Sequence, residues 1–298
     1  MTGPAAAAFA KVNLCLLLGG RRPDGRHELV TLFQSVTLAD ELRITPLAAG
    51  AADVVVCPGV AGTNLVDEAL TRLRAAGWNA PPLRVEIEKR IPVAAGMGGG
   101  SADAAAILRH APRLAAVAPA VVAAIASALG ADVPGQLDPG ASLGTGAGDR
   151  VEPLPDLTAH GLLVLPPRSA LSTAAVYREA DRLGLGRPAE ELEALAAELR
   201  RAAATGAPVP ERLIVNDLEA PARSLCPAID TALALARDAG ADQAMVCGSG
   251  PTVIGIYWGH DGGGERAAAA ARRLAARYPG AIAADPVRRG TGASAPNQ

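Results

Sequence analysis

Neither sign of charge dominates this chain. Its 298 residues carry 28 Lys and Arg against 30 Asp and Glu, a net charge of −2. That balance argues against a nucleic-acid partner gripped chiefly through its phosphates. Long apolar runs are missing too. No stretch is uninterrupted enough to span a bilayer, and no basic segment precedes an apolar core near the N-terminus, so neither a membrane span nor a leader is expected. Cysteine is scarce: Cys15, Cys57, Cys226 and Cys247 are scattered without C-x-x-C spacing. Disulfides and a zinc site are therefore not expected, and core packing is the better account of all four. What remains is the composition of a cytoplasmic enzyme, long enough for one large or two ordinary domains. The abundance of Ala, Gly, Pro and Arg reflects coding bias more than mechanism.

One stretch is far more informative than the rest: Pro92-Val93-Ala94-Ala95-Gly96-Met97-Gly98-Gly99-Gly100-Ser101-Ala102-Asp103. It follows a strand-like alternation (Leu83, Val85, Ile87 against Arg84, Glu86, Glu88) and leads into an alanine-rich helix expected from about Ser101. Four glycines in five positions remove the Cβ atoms that keep backbone away from a bulky polyanion. Free N–H groups at a helix start, with the positive end of its dipole, favour phosphate. Two commoner phosphate loops are excluded. A Walker loop needs Lys and then Ser or Thr after its last glycine, and Ser101-Ala102 follow Gly100. A dinucleotide fingerprint starting at Gly96 needs Gly or Ala where Ser101 stands.

The first half reads as mixed α/β. Strands are expected over Ala6–Leu18, Leu29–Leu38, Glu41–Thr45 and Asp53–Cys57, with a turn at Arg21–Gly25. Asn64–Ala76 has helical spacing and ends at Gly77, a C-cap candidate. Helices follow through Ala104–Leu108 and Val121–Leu129. Proline and glycine thicken from Pro134 to Pro155, which places a domain boundary at 155. The second half, 156–289, alternates strands (Gly161–Leu165, Ala244–Val246, Thr252–Tyr257, Ala281–Ala284) with helices (Ala189–Ala204, Pro227–Ala239, Glu265–Tyr278). That pattern suits a small antiparallel sheet backed by helices. Residues 290–298 read as a disordered tail.

Three further segments carry chemistry. Lys11-Val12-Asn13 sets a cation and an amide on one side of a strand. Gly130-Ala131-Asp132-Val133-Pro134 holds a lone carboxylate in an apolar turn, and Cys247-Gly248-Ser249-Gly250-Pro251-Thr252 is a second glycine loop between strands. Taken singly, Lys11 could be a surface cation and Asp132 a turn residue. In this order, with Arg22–Leu29, Thr31–Gln34 and Asn216-Asp217-Leu218-Glu219, the motifs closely resemble the GHMP small-molecule kinases. The likeness is to the branch that phosphorylates a cytidine diphosphate-linked methylerythritol in the non-mevalonate isoprenoid pathway, and it runs from about Ala10 to Tyr257.

The resemblance implies an α+β, two-domain GHMP kinase fold. Its N-terminal half would be a mixed α/β nucleotide-loop domain, and its C-terminal half a ferredoxin-like antiparallel sheet backed by helices. It implies ATP with Mg²⁺, ATP being held by backbone amides of residues 92–102, with Ser101 near the phosphates or the metal. Asp132 would take the proton of the acceptor hydroxyl, and Lys11 would hold that carboxylate ionised. Asn13, His27, Phe33 and Tyr177 would line the acceptor pocket, with His27 on the cytosine edge and Tyr177 stacked on the ring. Two positions depart from the family. Arg26 stands where an aromatic usually precedes the histidine, and its guanidinium plane can itself stack on a base. Gly135-Gln136 follows Pro134 where an aromatic is common. These departures leave room for a GHMP kinase of another alcohol, such as mevalonate or homoserine. A non-catalytic relic is disfavoured, since Lys11 and Asp132 are both retained.

Overall fold

The structure is a computed structural model, and it describes residues 5–289 except 61, 94, 167–169, 207 and 260–261. The tail expected over 290–298 and Ala94 of the glycine loop thus lie outside the described residues. No helix among the described residues is long and apolar enough to cross a membrane.

A long hairpin organises the first half. Strand β1 (Ala5–Arg21) is buried almost continuously from Ala7 to Leu18, as a strand covered on both faces must be. It pairs along its length with β2 (His27–Pro46). The turn between them closes with Arg22 N donating to Arg26 O (2.7 Å) and Gly25 at φ +81°. Two strands were expected where β2 stands, with a break near Asp40; the chain instead runs on as one strand of 20 residues. Asp40 is buried within it, and its carboxylate accepts from the backbone N–H groups of Arg90 (2.6 Å) and Ile91 (2.8 Å). A buried acid satisfied by a neighbouring turn does not interrupt a strand.

On the far edge of β2 lie β4 (Leu83–Glu88) and β5 (Ala141–Thr145), flanked by β3 (Val54–Val56) and β6 (Arg150–Pro153). Helices α1 (Leu65–Ala75), α2 (Gly99–Leu114), α3 (Pro119–Leu129) and the short α4 (Val133–Gln136) complete this half. Asn64 caps α1 by accepting from Val66 N (2.9 Å), and Gly77 ends it at φ +83°. Helix α2 starts at Gly99, two residues before the expected Ser101.

The second half is a four-stranded antiparallel sheet of β7 (His160–Leu165), β8 (Gln243–Val246), β9 (Val253–Trp258) and β10 (Ile282–Ala284), in the order β10-β7-β9-β8. That is the ferredoxin-like order. Helices α5 (Thr173–Arg182), α6 (Ala189–Thr205), α7 (Glu219–Leu225), α8 (Ala228–Asp238) and α9 (Gly263–Leu274) accompany it. Sequence periodicity anticipated neither α5 nor α7. Helix α9 was expected to reach Tyr278 but ends at Leu274, where a turn takes over and Tyr278 N still donates to Leu274 O (2.7 Å).

Strand β1 is the seam between the halves. Val12, Leu14 and Leu17 pack in one core, whereas Leu16 and Leu18 pack in the other with α5, α7, α8 and α9. Its outer edge exchanges backbone bonds with the second half: Leu16 N donates to Val215 O (2.8 Å), and Arg187 N donates to Leu18 O (2.8 Å).

Candidate active site

The pairing of β1 with β2 slips between Phe9 and Lys11 and again between Asn13 and Cys15. Such irregularities re-aim side chains, and here they bracket the K-x-N segment. Lys11 and Asn13 share one side of the strand, with Lys11 Nζ donating to Asn13 Oδ1 at 2.9 Å. The Asn13 amide donates in turn to Thr31 Oγ1 (2.7 Å), which donates to Cys15 O (2.7 Å). Lys11 is only 7% exposed, so its direction is fixed by packing. Its ammonium lies 5.2 Å from the centroid of Phe33 and 3.8 Å from Asp132 Oδ2.

Helix α2 presents a positive end with no side-chain cap. Its N-cap is Gly98 at φ +69°, with no acidic residue in the first turn. The first bond of the helix is Ala102 N to Gly98 O (2.7 Å), which leaves the amides of residues 99–101 directed out of its end. A Cβ on Gly98 would lie 3.0 Å from Gln136 Nε2 and 3.3 Å from Lys11 Cγ, and one on Gly96 3.1 Å from Gly250 O. Glycine therefore lets the loop lie directly against Lys11 and against the second glycine loop.

Two cavities, each of about 330 Å³, meet at this loop. Gly96, Gly98 and Ser101 belong to the walls of both. The first runs from this junction past Lys89 to Asn64 and Leu65 at the start of α1. The second holds Lys11, Asn13, Phe33, Asp132 and Tyr177. A donor and an acceptor seated in adjoining cavities with a lysine–aspartate pair at the join is the arrangement that phosphoryl transfer requires.

The expected site residues divide accordingly. Lys11, Asn13, Phe33, Asp132 and Tyr177 come together, and Pro92, Val93, Ala95, Gly96, Met97, Gly98, Gly99, Gly100 and Ser101 line the first cavity. Ala102 does not face it: its side chain is fully buried and its amide is used inside the helix. His27, expected in the acceptor wall, is not among the residues lining either cavity; it lies behind Tyr177, with ring centroids 5.2 Å apart. Arg26 stays outside both cavity walls, its guanidinium held by Asp24 (3.0 Å) and Asp149 (3.3 Å). Gln136 donates to Gly98 O (3.3 Å) and ties the Asp132 segment to the glycine loop.

Sequence reasoning missed Lys89. Its ammonium bridges Asp103 (2.8 Å) and the buried Asp40 beneath the first cavity. Burial works against the ammonium, yet the bonds from Asp103 and Asp40 raise its pKa on balance. Burial dominates at Asp103, whose carboxyl is pushed up to about 7 even with Lys89 beside it, because one ammonium serves two acids. A compositional signal was available. Of the 28 basic residues only Lys11 and Lys89 are lysines, and both line these cavities.

The second glycine loop is internally committed. Asn216 Nδ2 donates to Val246 O (2.8 Å) and Gly248 O (2.7 Å), while Glu219 accepts from Val246 N (3.0 Å). Thr252 Oγ1 donates to Ala95 O (2.6 Å), which joins this loop to the first. Asp217 fastens β1 by accepting from Leu18 N (2.9 Å) and pairing with Arg187 (2.7 Å). The Asn216–Glu219 segment is thus a clamp. Burial raises the thiol pKa of Cys247, and that of Cys15 to about 12, so neither is a nucleophile. Burial, then the Asp132 charge, pushes the Tyr177 phenol to about 12 and keeps it a neutral donor.

Comparison with known proteins agrees with this geometry. The N-terminal domain model of the GHMP kinases matches residues 64–146, and the C-terminal model matches residues 188–280. A 4-diphosphocytidyl-2-C-methyl-D-erythritol kinase of Nocardia farcinica is 40% identical, the match covering 96% of this chain and 92% of that protein. One of Streptomyces coelicolor is 42% identical over 82% of this chain and 84% of its own. A crystal structure of 4-(cytidine 5'-diphospho)-2C-methyl-D-erythritol kinase superposes with a TM-score of 0.75 at 33% identity, covering 95% of this chain and 99% of the other. A homoserine kinase from Cytophaga hutchinsonii shares the fold at 17% identity, with a TM-score of 0.70 over 97% and 95% of the two chains.

Proposed function

The chain belongs to the 4-diphosphocytidyl-2-C-methyl-D-erythritol kinases of the GHMP family, and on that premise we propose that it transfers the γ-phosphoryl group of ATP to the 2-hydroxyl of the cytidyl acceptor. This is a step of the non-mevalonate route to isopentenyl diphosphate. The observation that carries the reading is the junction of two cavities at Gly96, Gly98 and Ser101, with Lys11 and Asp132 beside it.

In this reading the amides of residues 99–101 hold the phosphates at the positive end of α2. Asp132 Oδ2 accepts the proton of the acceptor hydroxyl as its oxygen attacks the γ-phosphorus, and ADP leaves. Lys11, 3.8 Å away, pairs with the carboxylate and offsets negative charge on the transferring group. An ordinary carboxylate is a weak base, so alignment and electrostatics supply most of the acceleration. Tyr177 stacks on the cytosine, His27 reads its edge, and Asn13 and Phe33 shape the pocket. Mg²⁺ fits this donor set: a hard cation carried on phosphate oxygens keeps most of its waters, and the Ser101 hydroxyl is the side-chain oxygen at the junction. When bound it would neutralise phosphate charge.

We place the domain boundary at 155, between β6 and β7, and the enzyme in the cytoplasm with its small-molecule substrates. The test is a phosphoryl-transfer assay with ATP that compares the cytidyl acceptor, its truncated methylerythritol phosphate, mevalonate and homoserine. The expected result is turnover of the cytidyl compound alone. Comparable kcat/KM for the truncated compound would overturn the cytosine pocket, and preference for mevalonate or homoserine would assign another alcohol.

A further inference from the structure

Helix α5 brings two side chains to one face, Tyr177 and Asp181, four residues apart. Tyr177 lines the acceptor cavity and covers one face of the His27 ring, tilted by 31°. Asp181 holds the edge of that ring: His27 Nε2 lies 2.6 Å from Asp181 Oδ1. His27 is 7% exposed, so its orientation is set by these two neighbours and by β2. Its other nitrogen, Nδ1, has no partner among the described residues and is not one of the polar atoms sealed from solvent.

We propose that Asp181 is a positioning residue of the acceptor site: it keeps the His27 proton on Nε2 and leaves Nδ1 a bare acceptor, which admits a base presenting an amino group and refuses one presenting a carbonyl. An ionised carboxylate can only accept, so the hydrogen in the 2.6 Å contact belongs to His27. A neutral imidazole has a single N–H, and the bond at one nitrogen decides the state of the other. Cytosine carries an amino donor at the position where uracil carries a carbonyl acceptor. A lone pair on Nδ1 attracts the first and repels the second, and repulsion of the wrong partner contributes to specificity as much as attraction of the right one. The proposal rests on the reading in which His27 meets the cytosine edge, and it names the group that decides which base is accepted.

The test combines ¹⁵N NMR of the histidines with steady-state kinetics on the cytidyl acceptor and its uridyl analogue. In the native protein the His27 signals should show Nε2 protonated and Nδ1 bare. Asp181→Asn, which can donate as well as accept, should mix the two tautomers. It should raise the acceptor KM and lower the cytidyl-over-uridyl preference, each roughly tenfold, as for one hydrogen bond. The values of kcat and of KM for ATP should stay unchanged, and Asp181→Glu should restore much of the preference. A proton on Nδ1 in the native protein would overturn the proposal whatever the variants do. So would a folded Asp181→Asn with an unaltered tautomer and preference. His27→Ala separates the two levels. If it leaves the acceptor KM unchanged, the cytosine-edge reading itself fails; if it raises that KM while Asp181→Asn does nothing, only the role of Asp181 fails.

Discussion

The two glycine-rich loops look alike in sequence and differ in what their glycines do. In the loop at residues 92–103, the amides of residues 99–101 point out of the start of α2 toward a cavity. In the loop at residues 247–252, much of the backbone is bonded inside the protein: Cys247 N donates to Thr252 O and Gly250 N to Cys247 O, both at 2.9 Å, while Asn216 takes the carbonyls around the turn, and only Gly248 and Ser249 reach the wall of the second cavity. A Cβ on Gly250 would come 2.9 Å from Val246 Cγ1. One loop leaves amides directed at a cavity, and the other uses most of its bonds to hold the first in place. Glycine content marks both, but only free amides at a helix end mark an anion site.

The largest expected effect lies at the pair in the cavity that both loops help to wall. Lys11 packs against Gly98, and Asn13 N donates to Cys247 Sγ at 3.4 Å. Asp132→Ala and Lys11→Ala should each lower kcat by roughly 10²–10⁴-fold. The double variant should be little worse than the worse single one, because the two act as a unit. Strict additivity in steady-state kcat would place them in separate steps. A crossed pair of substitutions gives a middle-sized effect. Gly100→Val, in the wall of the first cavity and with nothing nearer a new Cβ than Leu65 Cδ1 at 3.8 Å, should raise KM for ATP by about 5- to 150-fold, the equivalent of roughly 1–3 kcal/mol, with little change in Tm. Gly250→Ala should do the reverse, lowering Tm by several degrees while KM for ATP moves little. Thermal melts beside ATP titrations decide this, and a Gly250→Ala protein of native Tm that has lost ATP affinity would break the contrast. The smallest effect belongs to Arg26→Ala. Its exposed ion pairs with Asp24 and Asp149 are screened by solvent and contribute little. It should raise the acceptor KM by no more than about fivefold and spare that of ATP; a larger rise would mean that the guanidinium leaves Asp24 to stack on the base.

Much of this was legible in the chain because it is local. The alternation at Leu83–Ile87, the glycine run and the alanine-rich helix after it are adjacent in sequence, and the structure keeps them so. Asn64 and Gly77 mark the ends of α1 by their own chemistry. The failures are tertiary. Asp40 looked like a break because an acid inside a strand is costly until partners appear, and its partners lie some 50 residues downstream. Helix α5 buries only Val176 and Ala180, too narrow a stripe to stand out against its polar residues. Asp181 matters through a contact with a residue 154 positions away, which no periodicity reveals. Lys89 is a different case: its identity was visible, and the rarity of lysine beside so many arginines was the clue.

The bond from Thr252 to Ala95 spans 157 residues of chain. During synthesis the first glycine loop leaves the ribosome long before the segment that backs it. Chains are made at about 5–20 residues per second, so the loop waits roughly eight to thirty seconds for that support. Through that interval the nascent protein carries the glycine loop without the wall that shapes it. The final shape of the first glycine loop therefore depends on assembly of both sheets.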